Sequence, residues 1–149
     1  PVDSEFTSRD AYHRFLFDNM IDGEHLALRT IASHLTERNS ADPIGLVFPE
    51  DPNISQLSQD FALVNRLCVV AGLPAARHEH LTYPVNGVFW SVPDALSSLV
   101  SELPRLKSTL KEMRLSPQVE DRLLARLLPV ACASKKMIMN TTVVAGVTY

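Results

Sequence analysis

Three places in this sequence gather side chains with the means to do chemistry. Glu120 and Asp121 form an acidic pair just inside a helix that Ser116-Pro117 opens, and a carboxylate so placed can take a proton from a hydroxyl as a general base. Asn86-Gly87 and Phe89-Trp90 sit in a turn-rich stretch; a flat aromatic face covers the apolar C–H side of a pyranose, and a carboxamide hydrogen-bonds its hydroxyls. Asp18-Asn19 closes the first helix, where its polar groups can face a ligand. Each place also has a plainer reading. The spacing favours Glu120 as a partner of the helix dipole with Asp121 solvated. Phe89 suits the core, Trp90 serves equally well as a packing anchor, and Asp18-Asn19 suits helix-terminal capping.

Other chemistries find little support. His78, Glu79 and His80 are adjacent on an extended segment, so their side chains alternate between faces and do not share one ion. His13, His25 and His34 lie on helices without a carboxylate at ligand spacing. There is no Asp-x-Asp pair, no glycine-rich phosphate loop and no arrangement of Ser, His and Asp suited to nucleophilic catalysis. No protein metal ligands are assigned. The 14 Lys and Arg against 17 Asp and Glu leave a net charge of -3, which excludes nucleic acid as a partner because phosphate neutralisation needs a concentrated basic face. Cys68 and Cys132 sit in apolar helical runs and read as buried free thiols in a reducing, cytoplasmic compartment.

The elements that must position these residues follow from periodicity. The 149 residues, 46% of them hydrophobic, suit a single domain over 1–149, with 1–8 expected to fray. Helical spacing runs through Tyr12, Phe15, Leu16 and Met20, then through Leu26, Ile31 and Leu35. Ile44-Gly45-Leu46-Val47-Phe48 is apolar on both faces, as a buried strand requires. Ser58 or Asp60 caps a helix that stops at Gly72-Leu73-Pro74, and residues 81–90 read as a strand bent by Pro84 and Gly87. Helices open at Pro93, at Leu103 and at Pro117, the last capped by Ser116. Residues 137–144, rich in β-branched side chains, read as the last strand. The order predicts a layered α/β domain with a small, mostly parallel sheet flanked by helices. No apolar run reaches the roughly 18 residues that cross a bilayer.

Four segments resemble the rhamnan synthesis protein F family of bacterial polysaccharide glycosyltransferases. They are Phe17-Asp18-Asn19-Met20-Ile21; Ile44-Gly45-Leu46-Val47-Phe48-Pro49-Glu50-Asp51-Pro52; Tyr83-Pro84-Val85-Asn86-Gly87-Val88-Phe89-Trp90-Ser91-Val92-Pro93; and Arg126-Leu127-Leu128-Pro129. The third is the most specific, since the family shows an aromatic-Pro-x-Gly-x-Met-Phe-Trp-x-x-Pro string before a helix with an Ala-Leu pair, here Ala95-Leu96. The resemblance extends from about residue 11 onward.

What this likeness implies is part of a GT-A-type fold, its C-terminal, acceptor-side portion. The implied reaction moves rhamnose or a related sugar from a nucleotide-sugar, such as a dTDP-rhamnose-like donor, to a saccharide acceptor on a growing rhamnan or O-antigen chain. Glu120 and Asp121 would be the catalytic carboxylates, with Asn86, Gly87, Trp90, Asp18 and Asn19 binding substrate. The location implied is cytoplasmic, with peripheral association at the inner face of the cytoplasmic membrane through the rest of the protein; a divalent metal is left open. The family's basic His-Thr-Lys-Lys-type segment is expected upstream of Pro1. Where members open the last helix with Asp-Gly and carry His and Glu along it, this chain has Pro117-Gln118, Arg122 and Ala125. That departure keeps a second reading in play, a non-catalytic carbohydrate-binding or assembly module.

Overall fold

The computed structural model describes residues 4–21, 26–37, 40–50, 60–77 and 82–143. The described residues form α1 (Ser4–Met20), α2 (Ala27–Thr36), β1 (Ile44–Pro49), α3 (Phe61–Val70), a 3-10 turn at Val85–Gly87, β2 (Trp90–Ser91), α4 (Pro93–Ser101), α5 (Leu103–Met113), α6 (Pro117–Ser134) and β3 (Ile138–Thr142). The first helix starts at Ser4.

The strand order is β2-β1-β3, and β1 owes its apolar character on both sides to this central position. Side chains alternate along a strand. Leu46 and Phe48, both fully buried, therefore join a core shared with α3 to α6, whereas Val47 turns the other way to Met20, Ala27 and Ile31 of α1 and α2. The result is three layers: two helices, a sheet, four helices. Fully burying a Leu or Phe is worth about 1.5–3 kcal/mol, and the four-helix side holds most such residues, including Leu67, Leu106, Leu110, Leu123 and Leu127.

The sheet is mixed, which corrects the expectation of a mostly parallel one. β3 runs parallel to β1, but β2 is antiparallel to it through Leu46 opposite Ser91 and Val47 opposite Trp90. The 3-10 turn precedes β2 and Pro93, which lacks an N–H, follows it. Pairing is thus held to two residues, whose direction is set by how the turn delivers them.

β1 carries an irregularity between Ile44 and Leu46, and Gly45 occupies it. A methyl group added there would lie 2.8 Å from Cys132 Sγ, 2.8 Å from Met137 Cβ and 2.9 Å from Ala95 Cβ. Only a hydrogen fits between the strand and the two helices. The close approach seals Cys132, whose thiol burial pushes up to about 11. Burial raises the Cys68 thiol as well, and both cysteines are free.

α6 is the central helix. From Leu123 to Cys132 nearly every residue is buried, including Pro129 inside the helix. Proline has no N–H to offer the Ala125 carbonyl one turn back. Among the described residues, no helix is long and apolar enough to cross a membrane.

Candidate functional site

Pro117 at the first helical position fixes where α6 begins and hence its facing. Residues three and four apart share a helix face, so Gln118, Asp121, Arg122 and Ala125 line one wall of a cavity of about 730 Å³. The opposite wall comes from residues 83–89, of which Tyr83, Val85, Gly87 and Phe89 face inward. Gly87 has φ of +69°, a left-handed conformation that side chains resist, and it completes the turn that presents this wall. Leu96, Leu99 and Val100 of α4 add an apolar floor.

A buried ion cluster braces one end. Arg122 donates to Asp60 through Nε to Oδ2 at 2.6 Å and through a terminal nitrogen to Oδ1 at 3.2 Å. Arg126 Nε approaches the same Oδ2 at 3.4 Å, and its guanidinium carbon stands 4.4 Å from the centre of the Tyr83 ring. Asp60 is 6% exposed and Arg126 5%. The paired hydrogen bond to Asp60 raises the Arg122 pKa further above its usual value. Two guanidiniums share one carboxylate. Asp60 precedes α3 as its N-cap residue, yet its side chain makes no capping bond, because the carboxylate is spent on α6. Ser116 likewise holds the N-cap position without a side-chain cap; its carbonyl accepts from Val119 and Glu120 instead.

The residues singled out in sequence do not converge on one site. Gly87 and Asp121 share the large cavity. Glu120, one position from Asp121 and so rotated by about 100° around the helix, is absent from its lining. Asn86 lies in the 3-10 turn, and its side chain is outside what is described. Trp90 is 40% exposed and off the cavity; its indole Nε1 donates to the Met20 carbonyl at 2.8 Å, the anchoring alternative. Asp18 sits 3.9 Å from Arg14 one turn back. Asn19 is fully buried on the two-helix side, where its Nδ2 donates to the Phe15 carbonyl. It lines a second cavity of about 260 Å³ with α2, β1 and β3. Alternation along β1 puts the sheet between the two cavities.

Sequence reasoning missed Asp60, Tyr83, Arg122 and Arg126 as a unit. A signal was present. Arg122 and Arg126 lie four apart on a helix otherwise apolar on that stretch, and buried guanidiniums demand a carboxylate. Phe89, assigned to the core, packs against it and also lines the cavity.

Among the described residues, no group of three or more His, Cys, Asp and Glu is placed to hold a metal ion; His78, Glu79 and His80 fall outside them. No family model, curated protein or solved structure matches the chain.

Proposed function

We propose that the chain is the acceptor-side portion of a bacterial sugar transferase similar to rhamnan synthesis protein F. In this reading it moves rhamnose or a related sugar from a nucleotide-sugar to a growing cell-surface polysaccharide, in the cytoplasm at the inner face of the membrane. One observation carries it. Two segments that hold the resemblance, some forty residues apart in sequence, meet where Arg126 lies over Tyr83, beside a cavity that Gly87 and Asp121 both line. The 730 Å³ volume falls within the roughly 300–1,000 Å³ common for ligand sites. Asp121 is then the acceptor's general base, and Gly87 with Phe89 forms the face against the saccharide. Glu120, outside the lining, has no part in the chemistry.

The test is sugar transfer by the full-length protein, using dTDP-rhamnose and a cell-surface saccharide acceptor. Asp121→Asn should lower kcat by about 10²-fold or more, while Glu120→Gln leaves it near wild type. Transfer by the Asp121 variant at the wild-type rate would remove the assignment.

The second reading, a carbohydrate-binding or assembly module without chemistry, draws on a specific feature. Arg122 is bound in two places by Asp60, so it is poorly disposed to neutralise a departing diphosphate, and most of the cavity lining is apolar. Retained saccharide binding with no transfer by the full-length protein selects this reading.

A further inference from the structure

We infer that the smaller cavity, on the two-helix side of the sheet, is a separate binding site for one neutral, hydroxylated ring of monosaccharide size. This goes beyond the proposed reaction, which belongs to the other face. The cavity opens beside the carboxyl end of β3, with Val47 of the parallel strand β1 in its wall, the end of parallel strands at which open α/β sheets bind ligands. Its volume of about 260 Å³ is just below the roughly 300–1,000 Å³ of pockets for larger ligands. A single ring fits the scale.

The lining specifies the chemistry. Thr30, Asn140 and Thr142 bring hydroxyl and carboxamide groups, which donate and accept without charge. Ile31 and Val47 supply an apolar base for the C–H face of a ring. Asn140 Oδ1 accepts from the Thr141 N–H at 3.0 Å, which leaves its NH2 group and the second lone pair of Oδ1 for a ligand. Thr142 Oγ1 donates to Met20 Sδ at 3.5 Å, which keeps its oxygen lone pairs for accepting. No Lys, Arg, Asp or Glu is among the described lining residues, and His34 alone among them can carry charge. A phosphate-bearing ligand would need more than that. Among the described lining residues there is no Phe, Tyr or Trp, which disfavours a stacked nucleobase.

The experiment is a titration of the amide-labelled protein with methyl rhamnoside, methyl glucoside and, separately, dTMP, followed by NMR. Saturable shifts at the Thr30, Asn140, Thr141 and Thr142 amides are expected with one of the glycosides, at a Kd on the order of millimolar. Thr30→Val and Asn140→Ala, both at exposed positions, should each weaken that binding by about three- to tenfold without moving Tm. Three results would overturn the inference: no saturable shift with either glycoside, the same shifts produced more tightly by dTMP, or shifts confined to Gly87 and Asp121. The last would locate binding in the large cavity, so this site can fail while the proposed function stands. Loss of transfer in the Asp121 test leaves the titration readable.

Discussion

The two sides of the sheet have opposite characters. The four-helix side encloses a large, mostly apolar cavity braced by a buried ion cluster. The two-helix side encloses a small cavity rimmed by neutral hydrogen-bonding groups and closed by a short run of contacts from Met20, Ala27, Ile31 and Val47. Stability therefore resides chiefly on one side. The other depends on a few bonds, among them the one from Trp90 to Met20.

The sharpest way to break this contrast is to remove Asp60. Two guanidiniums would lose their shared carboxylate, and stranding a buried charge costs about 3–5 kcal/mol. Asp60→Ala should lower unfolding stability in urea by that amount, whereas Arg122→Ala, with its side chain 40% exposed, should cost far less. Equal losses would mean that Asp60 serves Arg122 alone.

Alkaline pH loads the same side through Cys132. Its thiol titrates at about 11 when folded against an ordinary value of 9.0, so between these values the native state holds a proton that the unfolded chain has released. Stability is fully retained below pH 9 and falls as pH rises toward 11, by about 3 kcal/mol at most. Urea melts of wild type and Cys132→Ala across that range should differ in slope, the variant lacking this component. Parallel slopes would contradict a sealed thiol.

Gly45→Ala forces a methyl group against α4 and α6 and should cost about 1–3 kcal/mol by overpacking, read as a drop in Tm. Smallest in effect is Trp90→Phe, which removes the indole donor to Met20 and should cost about 1 kcal/mol. That change should loosen α1 selectively, with faster amide exchange near Met20 than in α6. Uniform acceleration would show that the two sides do not open separately.

Much of the fold could be read from local pattern. The five apolar residues Ile44 to Phe48 required a central strand, and Pro93 and Pro117 marked helix starts that the structure keeps. The direction of β2 could not be read, because two residues carry no signal of their own and a tertiary partner decides their pairing. The candidate site was legible only in part. Gly87 and Asp121 share a cavity, but nothing near Asn19 in sequence reveals that it lies across the sheet from them. That follows from which face Val47 takes, a long-range fact. Asp60 reads as a cap for the same reason: its true partner, Arg122, lies 62 residues away.

The absent side chain at Gly45 imposes a size rule on residues distant in sequence. Ala95, Cys132 and Met137 meet around the space a single methyl would fill, so an enlargement at position 45 must be relieved against all three at once, and shrinkage at one leaves two contacts too close. Pairing Gly45→Ala with Cys132→Ala removes the sulfur but not the contacts with Ala95 and Met137, so it should recover only a part of what the single change loses, a coupling between strand and helix that neither element displays alone.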